Sequence, residues 1–452
     1  MSETRLREFL ATGIKTSKEL QRLIGISQSS LSRIIGTLKK RGEILTLGAA
    51  RSTQYALLSP LKDDQPSISV YQIDNVGHIH RKGFLHCLAS NQYGWSHPDS
   101  GATLLESLPH WIQNMRPEGF MGRALAHKHA EALGLPSKLQ IWTEQHMLYA
   151  LSQIGEDVPG NLILGDIAIE RYLDRASSAD LETEILSADT VPAAYIQLAE
   201  QALAGEPTGS SAGGEQPKFT AIIAGENGPE QVIVKFTKTV TDEGRRWSDL
   251  LVAEHIANHI MRDAGYITAE TRIIQEEGWT FLESIRFDRN GLWGRLPLVS
   301  LATLDAEYVG ELEGWVSAVE GLHTENRVLT SDVQAVQWLN VFGECIGNTD
   351  RHLGNISFIP GPDGEIFHLA PVYDMTPMFY RPKDGGQMQT GPIQPRAKTI
   401  QTSIDQEALE SAKSYWEAIL DDSLISADFK EACKENIATL DKISAGPRIQ
   451  IC

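Results

Sequence analysis

A lysine stands inside the apolar run Gln231-Val232-Ile233-Val234-Lys235-Phe236, and no other position limits the fold as strongly. The run reads as a strand. An ammonium carried into a sheet costs several kcal/mol unless an anion or a carboxylate pairs with it. The helix that follows offers one, Glu254, in Leu250-Leu251-Val252-Ala253-Glu254. The bland reading is a lysine that snorkels from an edge strand and needs no partner.

A second constraint comes later. A helix bearing Val336, Leu339, Phe342 and Ile346 ends at Gly347, and the polar loop Asn348-Thr349-Asp350-Arg351-His352-Leu353-Gly354-Asn355 follows it. Next is a hairpin, 356–359 and 365–369, turning at Pro362-Asp363-Gly364. Directly after it stands Pro371-Val372-Tyr373-Asp374. Protein kinases hold ATP phosphates with a strand lysine and a helix glutamate. They then present a base aspartate, a metal-binding asparagine and, after a hairpin, a second metal-binding aspartate. Lys235, Glu254, Asp350, Asn355 and Asp374 follow that order. Two carboxylates and an amide are hard oxygen donors suited to Mg²⁺, with room for water and phosphate oxygens. A purely structural reading makes Asp350 and Asn355 turn formers and Asp374 a loop residue.

Ahead of the lysine strand lies Thr208-Gly209-Ser210-Ser211-Ala212-Gly213-Gly214-Glu215-Gln216-Pro217-Lys218. Small residues let backbone N–H groups approach a polyphosphate, and Lys218 adds charge. The segment matches neither a P-loop nor a dinucleotide fingerprint, so by itself a plain linker serves as well.

Charge separates the N-terminus from the rest. The chain has 40 basic and 59 acidic residues, a net charge of -19. Residues 1–62 hold 11 basic and 4 acidic side chains, a net +7, which leaves -26 for the remaining 390 residues. Such asymmetry points to a segment that meets a polyanion. Its patterning is that of three helices. Leu6, Phe9 and Leu10 mark the first. Thr16-Ser17-Lys18-Glu19 caps the second, and Ser27 caps a third that buries Leu31, Ile34, Ile35 and Leu38. A strand (43–47), a basic loop (48–52) and another strand (54–58) complete what resembles a winged helix-turn-helix. That resemblance implies a helix in the DNA major groove presenting Gln28, Ser29, Arg33, Lys39, Lys40 and Arg41, with Arg51 on backbone phosphate.

After a linker at 61–66, residues 67–97 read as strands and 103–200 as mostly helical. The histidines at 78, 80, 86, 97, 127 and 129 lack carboxylate or cysteine partners at ligand spacing and read as scattered surface and core residues. Cys87, Cys345, Cys433 and Cys452 form neither a disulfide framework nor a zinc motif. With no run near the roughly 20 apolar residues of a membrane span and no signal peptide, the expectation is a soluble cytoplasmic protein without a membrane partner.

Four stretches identify a family: Ser210-Ser211-Ala212-Gly213-Gly214-Glu215-Gln216-Pro217-Lys218, Arg286-Phe287-Asp288-Arg289, Asn348 to Asn355, and Leu369-Ala370-Pro371-Val372-Tyr373-Asp374. Together they resemble the HipA-type serine/threonine kinases, toxins of bacterial toxin–antitoxin systems linked to growth arrest and persistence. The resemblance implies an α+β chain in four parts. These are a winged helix-turn-helix (1–62), a small α/β subdomain (63–204), a kinase N-lobe with the Gly/Ser loop (205–300) and a helical C-lobe (301–452). It implies ATP and Mg²⁺ as cofactors, with Lys235, Glu254, Ser211, Gly213, Gly214, Gln216, Lys218 and His352 at the nucleotide. Asp350 becomes the catalytic base, and Asn355 and Asp374 the Mg²⁺ ligands. Regulatory autophosphorylation falls on Ser211 or its neighbour Ser210.

Family toxins usually bind DNA through a separate antitoxin, whereas this chain carries its own winged helix, like the fused members called HipH or YjjJ. The expected partners are DNA, a protein substrate with a Ser/Thr hydroxyl and a second copy in a homodimer. Two other classes stay open at this point. One is a nucleotide-sensing transcription regulator without kinase activity; the other is a toxin whose metal site cuts DNA.

Overall fold

The second and third of the opening helices carry their own start signals. In the computed structural model Thr16 and Glu19 form a reciprocal capping box at the helix Ser17–Ile24, which ends on Gly25 at φ 75°. Ser27 caps the helix Gln28–Lys40 through the Ser30 N–H. Leu6, Leu10, Leu20, Ile24, Leu31, Ile35, Leu38 and Ile44 close one apolar core among these helices and the first wing strand. The structure describes residues 2–48, 52–62, 66–97, 100–178, 181–204, 216–311, 313–383, 386–395 and 402–445.

The chain divides into two compact units, Met1–Arg116 with Gln140–Ser178, and Pro117–Leu139 with Ala179–Cys452. In the first unit the wing strands Ile44–Leu47 and Gln54–Leu57 pair antiparallel, and their sheet does not stop at the wing. Leu47 pairs in parallel with Ala102, while Leu57 and Cys87 carbonyls accept from the Ala89 and Ser59 N–H groups. The wing is thereby one end of an eight-stranded sheet that runs through Ala102–Leu105, Tyr93–Ser96, Ile79–Cys87 and Ser67–Ile73 to Leu162–Leu164. Helices Glu144–Ile154 and Asp166–Ser177 belong to the same unit, whose second core gathers Ile68, Val70, Leu85, Met147, Leu148 and Leu164.

Among the histidines, His78 and His80 do have a carboxylate partner, contrary to the expectation from spacing. Asp74 accepts from both, at 3.0 and 3.3 Å, and also from the Val76 and His78 N–H groups across the turn. It caps that turn. Among the described residues no group of three or more His, Cys, Asp or Glu is arranged to hold a metal.

In the second unit a five-stranded sheet has the order Thr271–Glu276, Trp279–Ile285, Gly228–Lys238, Lys218–Gly225, Ile185–Leu186. The edge strand Ile185–Leu186 and the helix Val191–Ala204 pack with this sheet, ahead of the 204/205 boundary that the resemblance implies. The reason is Tyr195, whose ring packs on Phe219 and Phe281 and whose hydroxyl donates to the buried Glu283 at 2.6 Å. The helix Gly119–Leu133 falls in this unit too, although the chain up to Arg116 and from Gln140 to Ser178 belongs to the first. Helices Leu301–Tyr308, Trp315–Thr324, Thr330–Cys345, Ser403–Asp421 and Ala427–Ser444 build the other lobe around Trp338, Phe342, Tyr415, Trp416 and Phe429. The long helix Asp242–Asp263 packs its Leu250, Val252 and Ala253 into that same core. The result is the α+β, two-lobed arrangement expected for residues beyond the winged helix. No described helix is long and apolar enough to cross a membrane.

Candidate active site

Strand geometry delivers Lys235 to the site. It lies on the central strand Gly228–Lys238, opposite Lys218 on one neighbour and Leu282 on the other, and is 9% exposed. Its Nζ donates to both Glu254 oxygens, at 2.6 and 2.7 Å, and to Asp374. The snorkelling alternative is therefore wrong for this residue. Burial works against the ammonium, yet the two carboxylates hold its pKa above the ordinary lysine value. Burial likewise pushes Asp374 up, but the charges of Lys235 and Lys218 overcome it and hold the carboxyl at about 2. Glu254 is shifted the other way: its burial outweighs Lys235 and raises it. Thr376 donates to Glu254 Oε2 at 2.6 Å.

Asp374 has φ 58°, a left-handed conformation that non-glycine residues adopt at a cost and that clusters at functional sites. Tyr373, just before it, shares a hydrogen bond with Ser357 Oγ (2.8 Å) and donates to the Gly354 carbonyl (3.3 Å). Gly354 belongs to the polar loop, so the Asp374 strand end and the Asn355 loop are tied directly.

That loop is stiffened from several sides. Asn348 Oδ1 accepts the Asp350 N–H at 2.9 Å, and Trp315 Nε1 donates to the His352 carbonyl at 2.8 Å. Arg351 turns inward, bonding Asn340 and the Asn348 carbonyl and pairing with Glu344 at 3.4 Å. Asn355 Nδ2 donates to the Asp350 carbonyl (2.9 Å) and carboxylate (3.3 Å). Asp350 and His352 remain half exposed, 50% and 60%, with 4.0 Å between Asp350 Oδ1 and His352 Nε2.

Lys235, Glu254 and Asp374 thus meet in one cluster, and Asp350, His352 and Asn355 in an adjoining one. Lys218 lies close enough to act on Asp374, whereas Gln216 spends its amide on the Phe236 carbonyl at 2.7 Å. Ser210, Ser211, Gly213 and Gly214 lie outside the described residues, as does Arg51 of the wing. On the helix Gln28–Lys40, Gln28, Ser29, Arg33, Lys39 and Lys40 are exposed, and Arg41 just beyond pairs with Glu3 at 3.4 Å.

Sequence reading missed the roles of Thr376, Trp315 and Arg351. It quoted Tyr373 and Arg286-Phe287-Asp288-Arg289 without assigning work to them. Asp288 takes two 3.1 Å bonds from Arg286 and one of 2.6 Å from Arg289, which fixes Phe287 so that its ring sits 5.7 Å from that of Tyr373. Alternating charge in a short strand-end motif was the available signal.

The donor set fits Mg²⁺ with a nucleotide. Asn355 gives its amide nitrogen to Asp350, which orients its oxygen the other way, and Asp374 supplies an ionised carboxylate. Hard oxygen donors too few to saturate a cation suit an ion that keeps substrate phosphates and water.

Residues 64–173 match the family model of the YjjJ-like toxin middle domain, and 210–440 that of the HipA-like C-terminal domain. Toxin YjjJ of Escherichia coli (strain K12) is 34% identical over 439 residues, 96% of each chain. Among solved structures, the HipA, HipB and operator DNA complex of Shewanella oneidensis MR-1 contains a chain matched over 83% of this one and 97% of its own. Its TM-score is 0.52 at 15% identity, a likeness of fold.

Proposed function

The chain belongs to the YjjJ-like toxin family and carries the HipA-like C-terminal domain, and on that premise we propose an ATP- and Mg²⁺-dependent serine/threonine protein kinase held at DNA by its winged helix. The observation that carries the reading is the convergence of Lys235 with Glu254 and Asp374 beside the Asp350–Asn355 loop.

When bound, Mg²⁺ and ATP supply the phosphoryl group and part of its charge neutralisation. The protein's contribution is position and charge. Lys235, oriented by Glu254, is the cation for the nucleotide phosphates, with Lys218 and His352 beside it. Asn355 and Asp374 hold the metal. Asp350, steadied by Asn348 and Asn355 yet open to solvent, accepts the proton of the incoming hydroxyl. A DNA-cleaving centre leaves Lys235 and Glu254 without purpose, and a pure nucleotide sensor leaves Asp350 without one. Autophosphorylation at Ser211 or Ser210 adds roughly -1.5 to -2 charge to the nucleotide loop and switches transfer off. The N-terminal +7 and the exposed Gln28, Ser29, Arg33, Lys39 and Lys40 support DNA as the partner of the first unit.

Incubation of the full chain with γ-³²P-ATP, Mg²⁺ and a cell lysate tests the enzyme. Transfer is expected for the wild type and absent for Asp350→Gln; equal transfer by both refutes the assignment. DNA titration over a salt series tests the partner, Lys40→Ala lowering the slope of log affinity against log salt by about 1.

A further inference from the structure

Asp374 is the most constrained residue of the site, and the two side chains that constrain it have no assigned role. Tyr373 precedes it and Thr376 follows two positions later, and their hydroxyls reach in different directions. Tyr373 is linked to Ser357 Oγ and the Gly354 carbonyl, one residue from Asn355. Thr376 reaches Glu254 Oε2, 122 positions earlier in the chain, while its own N–H bonds the Asp374 carbonyl at 3.0 Å. Between these anchors Asp374 stays at φ 58°. Asn348, from the same loop as Asp350, adds an amide contact to Met375 Sδ at 3.3 Å.

From these bonds we infer that Tyr373 and Thr376 form a two-sided hydroxyl clamp that presets Asp374 relative to Asn355 and Glu254 for the divalent cation of a bound nucleotide. They are positioning residues and touch neither metal nor substrate. The inference rests on the nucleotide reading given above but not on phosphate transfer.

The chemistry separates the two sides. Tyr373 couples Asp374 to the other metal donor, so its hydroxyl governs the distance between the two oxygen ligands. Thr376 couples Asp374 to the partner of Lys235, so its hydroxyl governs whether the ammonium and the carboxylate stay in register. Tyr373→Phe removes the bonds to Ser357 and the Gly354 carbonyl, and Thr376→Val removes the one to Glu254, with little change of bulk in either case.

The test uses the full chain and a fluorescent ATP analogue, titrated with and without Mg²⁺. Tyr373→Phe and Thr376→Val are each expected to raise the Mg²⁺ concentration needed for half-maximal nucleotide binding by about fivefold to tenfold. Binding in EDTA should change less than about twofold by the same estimate. Thr376→Ser, which keeps the hydroxyl, should restore wild-type Mg²⁺ dependence. Wild-type Mg²⁺ dependence in both variants overturns the clamp, and so does equal weakening with and without Mg²⁺ or failure of serine to rescue. A wild type that binds Mg²⁺-nucleotide but transfers no phosphate removes the kinase reading and leaves the clamp standing if the variants behave as stated. A wild type that binds no nucleotide removes both.

Discussion

The two clusters of the site are built on opposite principles. The Lys235–Glu254 pair is shut away, with side chains 11% and 6% exposed, and only Asp374, at 30%, opens that cluster outward. The Asp350–Asn355 loop is half open, and its order comes largely from bonds to backbone through Asn348, Asn355 and Trp315, with the Arg351–Glu344 ion pair beneath it. A buried charge cluster must be complete or it destabilises the fold. An open carboxylate can be changed with little effect on folding, and it is the one a macromolecular hydroxyl can reach. Stability and chemistry are therefore divided between neighbours, and substitutions should separate them.

The largest separation is in transfer itself. Asp350→Gln should lower phosphoryl transfer at least about a hundredfold while nucleotide binding persists. Asp374→Asn should lose Mg²⁺-dependent binding as well, as read by titration of the same analogue. Equal behaviour of the two variants would break the division.

Folding shows the reverse ordering. Lys235→Met leaves Glu254 and Asp374 facing each other and should destabilise the second unit by about 3 kcal/mol or more. Asp350→Asn should stay within about 0.5 kcal/mol. Thermal melts of the two variants side by side decide it.

A smaller effect is expected with acid. Asp374 is held at about 2 against an ordinary 3.8, so its stabilisation is complete above its unfolded value. It fades as the pH falls through the folded value. The wild-type advantage in Tm over Asp374→Asn should therefore narrow as pH drops from about 4 towards 2. An advantage independent of pH would mean the carboxyl is not held in its charged form. A local effect belongs to Trp315→Phe, which deletes the bond to the His352 carbonyl at 2.8 Å. About 1 kcal/mol of stability is expected to go, with kcat reduced more than nucleotide affinity.

Much of this was legible in the chain before any coordinates. Lys235 announced its partner because an ammonium among Val and Ile residues needs one, and the capping box at Thr16 and Glu19 needed only local spacing. What the sequence concealed were long-range pairings. Nothing near Thr376 signals Glu254, and nothing near Leu47 signals Ala102, because such contacts depend on how distant strands come into register. The helix Gly119–Leu133 was readable as a helix but not as a member of the second unit. Its neighbours in sequence are not its neighbours in space.

The parallel step from Leu47 to Ala102 has a practical side for anyone who wants the three-helix head alone. A scissor placed after Leu61 would take from Leu47, Leu57 and Ser59 their partners at Ala102, Ala89 and Cys87, and leave that apolar margin bare. Such a fragment should clump in the tube even though its three helices still fold, whereas a cut made beyond Ser178 keeps the ribbon whole.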